Sequence, residues 1–325
     1  MASQTSSKKV IYAALIGNFL IAITKFVAAA WTGSSAMLSE GVHSLVDTGN
    51  ELLLLYGLHR SAKPPDKAHP LGHGRELYFW TFIVALLIFS LGAGVSIYEG
   101  IIHLRRPEPM ESPLVAYVVL GLSLLFEGGS WWIALKEFRK AKGPLGYFRA
   151  VRESKDPTTF TVLFEDTAAL AGLLIALAGV TAAQYFEMPE LDGVASLGIG
   201  AVLAVTALVL ARETKGLLIG EAANKRLEGS VLAIAQADPA VERANGVMTV
   251  HLAPNQVVAA LSAEFSDELR TPDIEACVTR VEAKIRQAHP EITTLFIKPQ
   301  SAGTYRRHHP LAEGIIEDPA KAPSH

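Results

Sequence analysis

For its first two-thirds the chain alternates long apolar runs with short polar connections, and then it changes character. Six runs are long enough to cross a bilayer as helices rising 1.5 Å per residue: approximately Val10–Trp31, Ala36–Leu58, Leu77–His103, Pro113–Leu135, Thr158–Phe186 and Leu191–Ala211. After Arg212 the periodicity is that of a small mixed domain. Asn224–Ala237 reads as an amphipathic helix ended by Asp238-Pro239, and VMTVHLA and VVAALSAEF alternate as strands around Pro254-Asn255. Thr271–His289 reads as a helix with Thr271 as N-cap and Pro272 at its first position, and ITTLFIKP makes a last strand. The pattern predicts a mainly α membrane protein, a six-helix transmembrane bundle followed by a small α+β domain of order αββαβ. The expected divisions are an N-terminal segment at 1–9, the membrane domain at 10–211, the soluble domain at 212–300 and a flexible tail at 301–325.

Composition agrees with that division. Of 325 residues, 50% are hydrophobic and 19% charged, and the mean hydropathy is +0.29. The charges gather in the first ten residues, in a few connections and after Arg212. A net charge of -3 gives no ground for a nucleic-acid partner. The single cysteine, Cys277, excludes an intrachain disulfide. The first apolar run follows MASQTSSKKV without an A-x-A cleavage pattern and reads as a retained span. Basic residues precede span one, separate spans two and three and spans four and five, and follow span six; only Arg105 and Arg106 oppose the trend. The positive-inside rule then places both termini in the cytoplasm, and the expected location is a bacterial cytoplasmic membrane. The long basic connection Lys136–Pro157 fits that topology and contact with anionic lipid.

The candidate chemistry begins in span two. His43 and Asp47 are four residues apart, so on a helix they share a face about 6 Å apart along the axis. A carboxylate at membrane depth is costly and marks an ion or proton path more often than a structural pair. Glu127 lies mid-span in LLFEGGSWW, and Glu165 and Asp166 are adjacent in span five. Glu99 closes span three near the outer surface, where solvation is expected. Lys25 is expected to snorkel outward or to pair with Glu40. On this reading no Lys or Arg in any span is placed to neutralise Asp47, Asp166 and Glu127. Converging carboxylates then call for protons or a metal cation, and a mixed imidazole–carboxylate set suits a divalent transition metal more than sodium or calcium.

The stretch GSSAMLSEGVHSLVDTGN, the following loop PPDKAHPLGHGREL and the six-span, amino-in plan carry a resemblance. From Asn18 to about Pro299 the chain resembles the cation diffusion facilitators, dimeric transporters that export zinc and related divalent metals, usually against protons. The resemblance implies that His43 and Asp47 form the span-two half of an intramembrane transport site and Asp166 the carboxylate of the span-five half. The family's usual second span-five ligand, four residues earlier, is here Val162. At about 100° per residue, Glu165 lies about 60° to one side of Val162 and Asp166 about 40° to the other. Glu165 is therefore expected to supply the missing ligand. Glu127 is the competing ligand or a proton relay, and Asn50 is a candidate outer hydrogen-bond partner.

In the loop, Asp66, His69 and His73 match a second metal site of some family members; the alternative is an ordered turn whose histidines bond their neighbours. A charge pair between Arg75 and Glu221 is expected to couple the two domains. The resemblance also implies a ferredoxin-like domain that dimerises. Met248, Ser262, Lys298 and Gln300 occupy its usual zinc-ligand places, so it is expected to hold the dimer without a binuclear zinc site.

The expected function is secondary export of a divalent cation by alternating access in exchange for protons. Zinc is the first choice of cargo, with iron, cobalt, manganese or cadmium as alternatives. No resident cofactor is expected, and the partners are a second copy, the cation, protons and lipid. Two other classes compete. An intramembrane metal-dependent hydrolase lacks an HExxH or GxSxG motif here, and a non-transporting partner subunit is made conceivable by Val162.

Overall fold

The computed structural model describes residues 2–32, 35–107 and 113–308. The chain divides into two compact units, Met1–Leu218 and Ile219–His325. The first is helical. It comprises α1 (Ala2–Thr32), α2 (Ser35–Ser61), α3 (Glu76–Leu87), which runs through a π-helical turn (Ile88–Ala93) into α4 (Gly94–Arg105), then α5 (Pro113–Lys142), α6 (Tyr147–Glu153), α7 (Pro157–Tyr185) and α8 (Glu190–Ile219). Among the described residues, five stretches, Ser7–Trp31, Glu76–Arg105, Leu114–Lys142, Pro157–Tyr185 and Glu190–Ile219, are long and apolar enough to cross a membrane. The helix α2 has 27 residues, which is sufficient length, but Glu40, Asp47 and Glu51 interrupt its apolar character. Polar residues that reduce a span's hydropathy are the first sign of where the bundle has chemistry.

The bundle is tightest at the end where α1 begins, α2 ends and α7 begins. Val10, Ile11, Leu54, Leu58, Leu77, Tyr78, Phe160, Val162, Leu210 and Leu217 share one buried cluster there. Polar ties close the same end. Asp156 caps α7 by accepting from the Thr158 backbone N–H at 3.1 Å, with Pro157 in the first turn. Its other oxygen accepts from the buried Ser7 hydroxyl of α1 at 2.5 Å, and the Tyr78 hydroxyl donates to the Lys155 carbonyl at 3.1 Å. Farther along, α4 and α8 touch backbone to backbone. A Cβ on Gly100 would lie 2.9 Å from the Gly193 carbonyl oxygen, so that crossing requires glycine. The basic connection after α5, expected only as a loop, contains the short helix α6.

The second unit contains α9 (Lys225–Gln236), β1 (Val241–Ala253), β2 (Gln256–Phe265), α10 (Thr271–Ala288), β3 (Ile292–Pro299) and α11 (Ala302–His308). The sheet order is β1-β2-β3, with β1 antiparallel and β3 parallel to β2. Leu227, Val231, Ala235, Val281 and Ile285 from the helices bury one sheet face with Val257, Ala259 and Leu261. Three details differ from expectation. β1 starts at Val241, six residues before the VMTVHLA run. The N-cap of α10 is Arg270, not Thr271, because the Asp273 carboxylate reaches back to accept the Arg270 backbone N–H at 3.1 Å. The start of the expected flexible tail is a helix, α11, held by the buried Tyr305, which covers Gly246 so closely that a Cβ there would meet its hydroxyl.

Asp238 ties this unit together. Its carboxylate receives Arg280 through two bonds, of 2.9 and 3.1 Å, and the Cys277 thiol at 3.3 Å. The Arg280 guanidinium holds the carboxyl down at about 2, below its ordinary 3.8. A depressed folded-state pKa gives stability that is complete above the ordinary carboxylate value and lost as pH falls through the folded value. Asp238→Asn should therefore lower the unfolding free energy of this unit by about 1–2 kcal/mol at pH 7, the lower end allowing for solvent at the half-exposed Arg280. The difference from wild type should vanish between pH 4 and 2. Amide exchange in β1–β3 of the full chain under denaturant checks both.

Candidate functional site

Polar side chains from three helices meet inside the bundle. Asp47 and Asn50 come from α2, Glu127 from α5, and Glu165 and Asp166 from α7. Glu127, Glu165, Asp166 and Asn50 are all buried, and Asp47 is half-buried. The Asn50 side-chain amide donates to Glu165 Oε1 at 3.2 Å, and the Ser130 hydroxyl donates to Asp166 Oδ2 at 2.7 Å. Glu165 lies within electrostatic reach of Asp47 and Glu127, and Glu127 within reach of Asp47 and Asp166. Val162 is completely buried in the apolar cluster. Packing thus fills the position where the family places a ligand, and the two carboxylates on either side of it face the polar cluster. His43 is helical, but its side chain and that of Glu40 lie outside the described residues.

Three participants were not anticipated. Glu51 is completely buried and faces Glu165, Asp47 and Asp166. Its Oε1 accepts from the Asn18 amide of α1 at 3.0 Å. The signal was present in the sequence: Glu51 stands four residues after Asp47, extending the His43–Asp47 spacing by another turn. Ser130, which bonds Asp166, sits three residues after Glu127 and so on its face of α5. Lys25 corrects two expectations. It does not snorkel outward but is buried, donating to the Ser44 hydroxyl at 2.9 Å, and it lies within electrostatic reach of Glu127. One ammonium therefore does stand among the membrane carboxylates, because the α1–α2 contact turns its stem inward.

Several buried oxygens in this region have no hydrogen-bond partner: Asn50 Oδ1, Glu51 Oε2, Glu165 Oε2 and Thr161 Oγ1. Native interiors rarely leave such groups unpaired, and each costs about 1–3 kcal/mol, more for a charged oxygen. A cation supplied from outside the chain is the chemistry such a donor set fits.

The α2–α3 loop carries a second cluster. Asp66 Oδ1 lies 3.3 Å from His69 Nδ1, and Asp66 Oδ2 lies 3.4 Å from His73 Nε2. Ligand atoms of Asp66, His69 and His73 all fall within 4.8 Å of one another, the only such trio among the described residues. Backbone geometry sets this up. Asp66 Oδ1 accepts the N–H groups of Ala68 and His69 at 2.9 and 2.7 Å, and Gly72, at φ 86°, turns the chain so that His73 folds back. The His69 N–H holds the Asp66 carboxyl below the usual carboxylate range. His73 is buried, and its Nδ1 has no partner. The loop is anchored where α2 ends and α3 begins by Arg60, which donates to Glu76 Oε1 at 2.6 Å, while the Trp80 indole N–H donates to Glu76 Oε2 at 2.8 Å. Arg75 belongs to the first unit and Glu221 to the second.

Known proteins resemble the chain over the same region. The family model described as the cation efflux transmembrane domain matches residues 11–219. A mouse (Mus musculus) protein named proton-coupled zinc antiporter SLC30A9, mitochondrial, is 35% identical over 265 residues, covering 81% of this chain and 47% of that protein. Metal tolerance protein C4 of Arabidopsis thaliana is 35% identical over 73% of this chain and 52% of its own length. The cation-efflux pump FieF of Cronobacter sakazakii is 27% identical over 87% of this chain and 89% of its own. The chain spans about half the length of the first two relatives. Its apolar helices and the matched domain make it an integral membrane protein. On the match across 11–219 and these relatives, the chain belongs to the cation efflux, or cation diffusion facilitator, family of membrane transporters.

Proposed function

We propose that this protein is a secondary transporter that carries a divalent metal, zinc first, out of the cytoplasm in exchange for protons. The observation that carries the reading is the burial of Glu51, Glu165 and Asp166 and the half-burial of Asp47 inside the bundle, within electrostatic reach of one another. The names of relatives, proton-coupled zinc antiporter and cation-efflux pump, support it. His43, Asp47, Glu165 and Asp166 are the proposed ligands. Asn50 orients Glu165 and Ser130 orients Asp166. Glu127, beside Asp166 and Lys25, is the proposed proton relay. Metal ligands must be deprotonated, so cation and protons compete for one site, and that competition couples the two flows. The apolar cluster at the end where Ser7 meets Asp156 corresponds to a pathway closed toward the cytoplasm.

The finer assignments follow from the same reading. Both termini face the cytoplasm, where the basic connections lie, in a bacterial cytoplasmic membrane. Asp66, His69 and His73 form a cytoplasmic metal site, for which the depressed Asp66 carboxyl and the partnerless His73 nitrogen are suited. A second copy docks on the sheet face where Met248, Ala260 and Phe296 stand in register across β1, β2 and β3, the two outer side chains well exposed. Arg75 and Glu221 are the proposed charge pair between domains, and the basic α5–α7 connection meets anionic lipid. The protein carries out no covalent chemistry on its cargo and needs no resident cofactor.

Flux in proteoliposomes containing only this protein tests the reading: zinc should enter against a proton gradient, and collapse of that gradient should slow it. A metal flux indifferent to the gradient contradicts proton exchange, and no flux at all favours a partner subunit or a hydrolase. Glu165→Ala should abolish transport, whereas a wild-type rate would transfer the missing ligand's role to Glu127. Equilibrium zinc binding to His73→Ala should be at least about tenfold weaker at the loop site, since even outer-shell partners of a ligand are worth that much. Phe296→Lys should convert the dimer to a monomer in light scattering.

A further inference from the structure

We propose that Glu51 and Glu165, with the side-chain oxygen of Asn50, form an oxygen-only position for a divalent cation, one helical turn from the position of His43, Asp47 and Asp166. The proposal rests on the transporter reading and adds a second stopping place to it. On α2 the residues His43, Asp47 and Glu51 follow one another at four-residue steps, so each lies about 6 Å farther along the same face, toward the tight end of the bundle. The neighbouring Asn50 and, on α7, Glu165 complete the set.

The oxygens of this set are acceptors left over after the nearby donors have been used. Asn18 gives its amide to Glu51 Oε1 at 3.0 Å, and Asn50 gives its amide to Glu165 Oε1 at 3.2 Å. Glu51 Oε2, Glu165 Oε2 and Asn50 Oδ1 remain buried without partners. Glu51 and Asn50 are 0% and 1% exposed, so solvent does not serve them. Lys25 does not reach them. Its ammonium is held at Ser44, seven residues from Glu51 and so about 10 Å away along α2. Two buried carboxylates on α2 and α7, within electrostatic reach of each other and each with one oxygen that no donor serves, repel when both are ionised, and a proton or a cation relieves that repulsion.

The chemistry of the set selects the class of cation. Carboxylate and carbonyl oxygens without imidazole or thiolate are ligands for harder divalent ions such as Mn2+, whereas an imidazole raises the preference for Zn2+. Glu165 lies within electrostatic reach of both Asp47 and Glu51, and on this proposal its carboxylate is shared between the two positions. The alternative is that Glu51 only ties α2 to Asn18 of α1, a role that needs one of its two oxygens.

The test uses the full-length protein carrying Asp66→Ala, which disables the loop trio, with equilibrium binding of Mn2+ and Zn2+ measured separately. Adding Glu51→Gln, which keeps the side-chain volume and the oxygen that Asn18 bonds, should weaken Mn2+ at least about tenfold and Zn2+ by less than about threefold. Adding Asp47→Asn instead should show the reverse preference. General damage to the fold would lower both metals together in both variants. Unchanged Mn2+ binding in Glu51→Gln, or parallel losses of both metals, overturns the proposal and leaves the transporter reading standing. A parent protein that binds neither metal overturns the transporter reading itself.

Discussion

The constraint on which this structure depends is the burial of four carboxylates, Glu51, Glu127, Glu165 and Asp166, with Asp47 half-buried near them, against one buried ammonium, Lys25. Removing an ionised carboxylate from water costs several kcal/mol even after relaxation, and the attraction of a single lysine does not offset that cost for all of them. The chain reduces it with neutral donors, one to each of three carboxylates: Asn18 on Glu51, Asn50 on Glu165, Ser130 on Asp166. It stops short of satisfying them. The unpartnered oxygens that remain define a demand for positive charge, which protons and a divalent cation can each meet and cannot meet together. On the reading proposed, exchange of one for the other follows from that electrostatics.

The surrounding helices are arranged so that this demand stays inside. At one end, large apolar side chains from α1, α2, α3, α7 and α8 close over the polar cluster, and Ser7 and Tyr78 fasten α1 and α3 to the start of α7. Val162 belongs to this closure. A histidine or aspartate there would have added a ligand at the expense of the apolar seal, and the chain has the seal, with carboxylates on the two flanking faces of the same helix. The α4–α8 contact works differently, through glycine and close backbone approach. Large interlocked side chains resist sliding more than smooth glycine faces do, so the two contacts lend themselves to different parts of a rocking motion.

Much of this was legible in the sequence, because a membrane helix exposes its pattern. Five of the six expected spans follow from apolar length among the described residues, and Asp47, among the polar residues that disqualify α2, gathers near Glu165 and Glu127. The helical wheel at Val162 located Glu165 on the polar side before any contact was known. What the sequence reading lost is instructive in physical terms. Glu51 opens the apolar run ELLLLYG and reads as a boundary residue, although its spacing from Asp47 places it on the polar face. Of the two placements expected for Lys25, the structure excludes the outward one, since it is buried and donates to Ser44 on another helix, while the pairing with Glu40 lies outside the described residues. Whether a side chain turns in or out is decided by tertiary neighbours. The same holds in the soluble unit, where the competition between Thr271 and Arg270 for the N-cap was decided by the reach of Asp273.

On the reading proposed, the order of ligands along α2 has its own logic. A hydrated divalent ion entering a bundle exchanges water oxygens for protein oxygens at the least change in ligand character. Replacing water by carboxylate and amide oxygen asks little discrimination of the site, while replacing an oxygen by imidazole nitrogen favours the ion that tolerates both, which is a borderline metal such as zinc. A ladder running from Glu51 and Asn50 through Asp47 to His43 therefore admits first and selects afterwards. Selection placed last, where the ion has already lost its water, sets the metal preference by a difference between ligands and not by the larger and less discriminating cost of dehydration. Cargo identity in this chain is then a property of the whole face of α2, with the oxygen ligands near the tight end admitting the ion and the histidine farther along selecting it.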